Sequence, residues 1–157
     1  MVALSALTHI IMQYIIQQQV TDSKIAESVI HDDMYGLDHE EVWVIFLTMA
    51  NTVITKEMAS KGVLDSTAID CRTVLRRALL NNAGRIVLVH NHPSGNPLPS
   101  SKDIEFTKKL KDSCTLMDIG LLDHVIIAGD SFYSFADENL YYLEQTKSEQ
   151  IIYSPHP

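Results

Sequence analysis

The sequence predicts an α/β fold in which helices flank a mixed β-sheet. Two short runs are apolar at every position, VWVIFL at residues 42–47 and IVLV at residues 86–89. Such runs are typical of strands that are covered on both faces. Helical patterns alternate with these strands, and a chain of 157 residues, 46% of them hydrophobic, is long enough for one domain with its own core.

Two helices are expected before the sheet. Apolar residues recur every three or four positions in residues 4–18, which predicts an amphipathic helix. Polar residues at 21–23 offer N-caps for a second helix, which ends before the turn-prone Gly36. We interpret residues 1–37 as a helical extension that packs on the domain.

The first half of the sheet is expected to be a pair of strands followed by a helix. The strand at 42–47 is joined by a turn to a second strand at 53–59. Ser66 or Thr67 then caps a helix that ends in the turn residues at 81–84. The apolar stripe predicted for this helix consists of Ile69, Val74, Leu75, Ala78 and Leu79.

The second half repeats the alternation. After the strand at 86–89 and a Pro-rich loop at 93–99, helical spacing runs over 101–117, and a hairpin joins 125–128 to 132–135. The apolar positions predicted for this helix are Ile104, Leu110 and Leu116. The order ααββαβαββ gives a mixed sheet with helices on its faces.

We place the domain at residues 38–136 and a C-terminal tail at residues 137–157, where periodicity is lost. Twelve basic residues against twenty acidic ones give a net charge of -8. A polyanion would be repelled, so nucleic acid is not expected as a partner.

Cysteine usage and the N-terminus bear on the compartment. Cys71 and Cys114 lie far apart and neither belongs to a CxxC pair, which argues against a disulfide scaffold and a thiolate zinc site. No basic residue precedes Lys24 and no run of 18 apolar residues occurs, so neither a signal peptide nor a membrane span is expected. We expect a cytoplasmic protein, and the oligomeric state stays open.

The stretch LVHNHPSGNPLPSSKD carries the chemistry. His90 and His92 stand two positions apart where an apolar strand ends, so their side chains project to one side, roughly 6 to 7 Å apart. Asp103 can supply an oxygen ligand if the Pro-rich loop folds back over the strand end. Two imidazoles and a carboxylate predict a Zn²⁺ site with one position left for water, which is typical of catalytic zinc.

Each half of this pattern also has an ordinary explanation. Two histidines at a strand end can be surface residues, and Ser100 followed by Asp103 is a common helix N-terminus. The conjunction favours the metal site, because a serine can cap a helix whose first turn carries a ligand.

These residues resemble a known family. His90-x-His92, seven residues, Ser100, two residues and Asp103 resembles the metal motif of the JAMM (MPN+) metalloproteases. The strings HNHPSG and LLDHVII resemble the RadC-like branch of that family, and the resemblance covers about residues 38–135. It implies a JAB/MPN fold, similar to that of cytidine deaminases, and zinc-dependent hydrolysis of amide or isopeptide bonds in a peptide or protein substrate.

The resemblance also implies roles for further residues. A glutamate at the start of an early central strand acts as general base; Glu41 matches that place and Glu40 is its competitor, because only one of them can face the site. Ser100 would steady the oxyanion, with helix capping as the ordinary alternative. Asp123 and His124 could support a ligand imidazole, although a polar pair at a strand start is the simpler explanation.

The sequence departs from the family at two points. Thr48 stands where an aspartate is usual, and residues 4–30 lack the glycine-bearing hairpin of the N-terminal region in longer RadC-like proteins. The second departure weakens the association with DNA repair.

Two other functions stay open: a non-catalytic MPN-type binding module, or a nucleic-acid enzyme. The letters HNH resemble a nuclease motif only superficially, and the PCxxC of the zinc deaminases is missing.

Overall fold

A computed structural model describes residues 18–62 and 69–139. The helices and strands in this part of the chain are α1 (Ser23–Met34), β1 (Glu41–Leu47), β2 (Val53–Lys61), α2 (Cys71–Leu80), β3 (Arg85–Asn91), α3 (Ser101–Leu116), β4 (Gly120–Ala128) and β5 (Ser131–Ser134). The α/β class is confirmed. The predicted first helix, except for its last position, lies outside the described residues, as do Ser66, Thr67 and most of the predicted tail. The division at residues 37/38 and 136/137 stays a prediction.

The strands form one mixed sheet in the order β2-β1-β3-β4-β5. β3 and β4 run parallel, and the other neighbouring pairs are antiparallel. The parallel pair requires a crossover, which α3 provides. β1 and β3 are buried at nearly every position, which explains why their sequences are apolar without alternation.

Each face of the sheet has its own core. The face covered by α2 and α3, here called the α2/α3 face, carries the strand residues Val42, Val44, Phe46, Ile86 and Leu88. The opposite face, covered by α1 and here called the α1 face, carries Ile45, Leu47, Val87 and Val89. This two-sided burial holds the strand ends in a fixed register.

The register decides which face each polar residue meets. Val42 lies directly opposite His90 in the antiparallel pair of β1 and β3, and residues directly opposite each other project to the same face. His90 therefore belongs to the α2/α3 face. Alternation along β1 then puts Glu41 and Trp43 on the α1 face.

Local capping fixes where two of the helices begin. The Asp22 carboxylate accepts a hydrogen bond from the Ile25 N–H at 2.9 Å, which selects one of the predicted caps of α1. α2 begins later than predicted, because the Asp70 carboxylate accepts from the Arg72 N–H at 2.9 Å and acts as its N-cap. Ile69 therefore precedes the helix, although it is buried in the same core as Val74 and Ala78. The prediction for Leu79 is wrong, because this residue is 51% exposed.

The buried stripe of α3 also differs from the prediction. Ile104 is 40% and Leu116 is 86% exposed. The buried residues are Asp103, Phe106, Thr107, Leu110 and Cys114. Their spacing of three and four positions is that of one helix face, and two of them are polar because this face meets the candidate site. None of the helices within the described residues is long and apolar enough to cross a membrane.

Candidate metal centre

His90 lies at the end of β3 with its ring fully buried. Its Nδ1 is 2.7 Å from Nε2 of His124, a buried residue of the neighbouring strand β4. The Nδ1 of His124 is in turn 2.5 Å from the Thr107 hydroxyl, which donates to the Asp103 carbonyl oxygen at 2.5 Å. A continuous chain of hydrogen bonds thus joins His90 to the helix that carries Asp103.

This chain of hydrogen bonds fixes the tautomers. Because the Thr107 hydroxyl donates its hydrogen to a carbonyl, its oxygen accepts from the His124 Nδ1–H. A neutral His124 then has a bare Nε2, which accepts from the His90 Nδ1–H. Burial lowers the pKa of His124 well below its ordinary value and keeps this ring neutral. The lone pair of His90 is therefore at Nε2.

His92 directly follows β3, and its ring is oriented by a backbone carbonyl group, whereas that of His90 is oriented by a side chain. Its Nδ1 lies 2.8 Å from the Asn96 carbonyl oxygen, to which it can only donate. The Nε2 of His92 therefore also carries a lone pair. The loop that holds Asn96 thus orients a ring of the cluster, as the outer partners of metal-bound histidines do.

Asp103 is held by the start of α3. Its Oδ2 accepts from the Ser100 N–H at 2.6 Å, while the Ser100 Oγ accepts from the Asp103 N–H at 3.2 Å. This reciprocal pair is a capping box. The carboxylate is 3% exposed, and the cap fixes its orientation toward the two histidines.

The three side chains converge on one point. The two Nε2 atoms are 2.9 Å apart, His90 Nε2 is 3.2 Å from Asp103 Oδ1, and His92 Nε2 is 3.5 Å from Asp103 Oδ2. Tetrahedral zinc with bonds of about 2.0–2.1 Å separates its ligand atoms by about 3.3 Å. Lone pairs this close repel one another unless a cation lies between them. His90, His92 and Asp103 therefore form a cluster that could hold a metal ion.

The electrostatics agree with this donor set. Burial lowers the pKa of His90, while Asp103 and Glu40 act in the opposite direction. Asp103 raises the pKa of His92, because its carboxylate would accept a hydrogen bond from the protonated ring. Burial alone would raise the pKa of Asp103, but its bonds to His90 and His92 outweigh this effect and hold the pKa far below its usual range. An ionised carboxylate beside imidazoles suits a divalent cation.

The structure does not bring Glu41 to this cluster. Its carboxylate lies on the α1 face, 2.9 Å from the His39 Nε2 and 2.9 Å from the Trp43 Nε1. Burial alone would raise the pKa of Glu41, but these two hydrogen bonds outweigh it and lower the pKa. The prediction that Glu41 faces the histidines fails because strand alternation turns it away from them.

Glu40, the competitor, lies on the other side of that alternation. It lies one position before Glu41 and just outside β1, and continued alternation would put it on the α2/α3 face with Val42 and His90. Its charge acts on both His90 and His92 in the direction that raises their pKa values. Among the described residues, no hydrogen bond or ion pair engages its side chain. Of the two glutamates, Glu40 is therefore the one whose charge acts on the histidines of the cluster.

Of the other predicted site residues, Ser100 and His124 lie at the cluster and Asp123 does not. Ser100 is exposed beside the cluster, and its hydroxyl oxygen accepts from the Asp103 N–H at 3.2 Å. His124 supports His90, as one of the two explanations predicted. Asp123 does not, because it lies on the α1 face and binds the Ser134 hydroxyl at 2.6 Å and the Ala136 N–H at 2.9 Å.

Two contributors were missed by the sequence analysis, Thr107 and Asn96. Thr107 stands four positions after Asp103, one helical turn along the same face, and this spacing could have revealed it. Asn96 acts through its backbone carbonyl, so no side-chain pattern could have found it.

A mixed α/β sheet with a His-x-His and Asp cluster at a strand end is the arrangement of a JAB/MPN domain. Residues 20–140 match the family model for the RadC-like JAB domain. The chain therefore belongs to the RadC-like JAB domain family, and the resemblance drawn from its motifs is confirmed.

Individual relatives agree with this assignment. The chain is 41% identical over 124 residues to a UPF0758 protein of Flavobacterium johnsoniae, which covers 79% of this chain and 54% of the relative. It is 38% identical over 120 residues to the UPF0758 protein YfjY of Escherichia coli K12, which covers 76% of this chain and 75% of the relative. The chain thus spans about half the length of the Flavobacterium relative.

Proposed function

We propose that this protein is a zinc-dependent hydrolase of amide or isopeptide bonds in a peptide or protein substrate. The observation that carries the proposal is the convergence of His90, His92 and Asp103 on one point, near a glutamate whose side chain makes no hydrogen bond within the described residues. His90, His92 and Asp103 would hold the ion, because the Nδ1 of each ring already makes a hydrogen bond within the protein and leaves Nε2 for the metal. Such a set leaves room for water and substrate.

Each residue then has a distinct task. When bound, the ion supplies Lewis acidity, which polarises a carbonyl group and acidifies water at neutral pH. Glu40 accepts a proton from the attacking water and passes it to the leaving amine. The Ser100 hydroxyl donates a hydrogen bond to the carbonyl oxygen as negative charge develops there.

The family supports this reaction class, since JAB/MPN domains include metalloproteases. Amide hydrolysis needs a base for water, an acid for the amine and a donor for the oxyanion. Glu40 can serve as the base and then as the acid, and Ser100 as the donor. The relatives' names state no activity, so the substrate is proposed only as a class.

The test compares two adjacent glutamates in the purified, zinc-loaded protein. Glu40→Gln is expected to retain one zinc ion per chain and to lose turnover of an unfolded, fluorescently labelled polypeptide by about 10²–10⁴-fold. Glu41→Gln is the matched control, because the same change on the α1 face should leave the rate within a few-fold of wild type. Zinc is measured by atomic emission.

Other results would contradict the proposal in recognisable ways. Full activity of Glu40→Gln would reject the base assignment. Zinc binding without cleavage of any polypeptide tested would favour the non-catalytic binding module. Tight DNA binding at about 150 mM salt would instead favour a nucleic-acid partner.

A further inference from the structure

Asn91 stands between the two ligand histidines and faces away from them. Its side chain lies on the α1 face and the residue is 4% exposed. The side-chain oxygen accepts from the Glu41 N–H at 2.7 Å, and the side-chain nitrogen donates to the His39 carbonyl oxygen at 2.8 Å. Asn91 therefore binds the residue before Glu40 and the residue after it.

These two hydrogen bonds fix both peptide groups that flank the Glu40 Cα. The His39 carbonyl belongs to the peptide before Glu40, and the Glu41 N–H belongs to the peptide after it. The Glu40 carbonyl itself accepts from the Gly62 N–H at 2.8 Å, from the end of β2. With both peptide groups held, the backbone dihedral angles of Glu40 are restricted, and so is the direction of its Cα–Cβ bond.

Glu40 needs such support because it lies just outside the regular sheet. β1 begins at Glu41, and its pairing with β3 begins only at Val42, so no strand ladder orders Glu40 on the β3 side. The carboxamide of Asn91 replaces the missing ladder, since it offers one acceptor and one donor as a peptide group does. Aspartate offers acceptors only, and an aliphatic side chain offers neither.

We propose that Asn91 is a positioning residue that sets Glu40 at a fixed distance from the metal centre. The inference rests on the proposed function, because it concerns the base of that reaction. A single residue thereby links three parts of the site: its neighbours in the chain are the two imidazole ligands, and its side chain holds the backbone of the base. The ligand rings are themselves oriented by His124 and Asn96, so Asn91 is not needed to hold the ion.

The experiment measures position and not activity. Uniformly ¹⁵N-labelled protein is loaded with Co²⁺ or with Zn²⁺, and the pseudocontact shift of each backbone amide reports its place relative to the paramagnetic ion. In Asn91→Ala, the population of displaced conformers of residues 39–41 should rise about tenfold for the loss of these bonds. The shifts of Glu40 and Glu41 should then diminish, while that of Thr107 stays unchanged.

Two further variants sharpen the test. Asn91→Asp keeps the size and the acceptor of the side chain but loses the donor, so it should give a smaller change in the Glu40 shift. This variant replaces Asn91→Ala in the test if the alanine variant does not fold. Asn81→Ala is the matched control: Asn81 also donates from its side chain, to Glu57 and to the Arg77 carbonyl, but it lies at the end of α2. Asn81→Ala should leave the Glu40 shift unchanged.

The outcomes separate this inference from the proposed function. Unchanged shifts at Glu40 and Glu41 in both Asn91 variants would overturn the positioning role. Failure of the wild type to bind Co²⁺ would overturn the metal centre, and with it both proposals. Diminished shifts at Glu40 with unaltered Co²⁺ affinity would support the inference, because a general loss of stability would move Thr107 as well.

Discussion

The two faces of the sheet differ sharply at the edge where β1 begins and β3 ends. On the α1 face, the polar groups are paired within the protein: the Glu41 carboxylate accepts two hydrogen bonds, the Asn91 amide binds two backbone groups, and Asp123 accepts from Ser134. On the α2/α3 face, two ring nitrogens and a carboxylate converge on one point, where a metal ion could lie between them.

The contrast separates stability from chemistry. Buried polar groups that find partners stabilise a fold, while those that converge without partners cost free energy unless a ligand supplies the missing charge. The α1 face therefore holds the strand ends in place, whereas the α2/α3 face carries the cluster that could hold an ion. In β3, the adjacent residues His90 and Asn91 lie on opposite faces, so one belongs to the cluster and the other to the stabilising network.

The largest effect is expected on zinc affinity, when one histidine of each face is replaced by alanine in separate variants. His92→Ala should weaken zinc binding by at least about a hundredfold, since each ligand contributes a few kcal/mol on the scale of zinc sites. His39→Ala, on the α1 face, should leave the affinity unchanged. Competition with a chromophoric chelator measures both, and equal losses in the two variants would abolish the distinction between the faces.

A smaller loss of zinc affinity is expected when His124, which binds the ring of His90, is replaced. His124→Phe keeps an aromatic ring against Phe135, which stacks on His124 at a centroid distance of 4.7 Å, but it leaves the His90 Nδ1–H without an acceptor. Zinc affinity should fall by about 10–100-fold. An affinity equal to that of the wild type would show that the hydrogen-bond chain through Thr107 does not support His90.

Replacing Glu41 and replacing Glu40 should also have different effects on the free energy of unfolding. Glu41→Ala removes two hydrogen bonds from a buried carboxylate and should lower the free energy of unfolding by about 2 kcal/mol. Glu40→Ala should change it by less than about 0.5 kcal/mol. Urea denaturation of the metal-free protein measures both, and a larger loss for Glu40→Ala would mean that Glu40 has a structural partner.

The smallest effect concerns pH on the α1 face. Burial raises the pKa of Asp123 to about 6, despite hydrogen bonds from Ser134 and two backbone amides. Because the folded state binds this proton more tightly than the unfolded state does, stability from Asp123 is present at low pH and is lost as pH rises toward about 6.

Relative to Asp123→Asn, the wild type should lose on the order of 1 kcal/mol in the free energy of unfolding between about pH 4.5 and about pH 6.5. Urea denaturation of the metal-free proteins across this window gives the difference. A difference that is constant with pH would mean that Asp123 stays ionised in the folded protein.

Much of the architecture could be predicted because apolar runs and caps are local signals. The two central strands, α1 and the mixed sheet follow from such patterns, and the spacing from His90 to Asp103 indicated one shared site. The buried stripe of α3 was harder, because Asp103 and Thr107 occupy it and a search for apolar periodicity passes over polar residues.

The choice between Glu40 and Glu41 could not be made from the sequence. β1 is buried on both faces, so its residues do not alternate between apolar and polar, and the run VWVIFL carries no record of which face is which. Only the pairing of Val42 with His90 on the neighbouring strand settles the face. That register is a long-range property, and a shift of one residue would have exchanged the two glutamates.

Asp103 belongs both to the capping box of α3 and to the candidate centre. Its orientation is set by the backbone N–H of Ser100, a group of the chain itself and not of any ion. Release of a bound ion would therefore leave this carboxylate held by the start of α3, and one of the three ligands would be in position for the next ion.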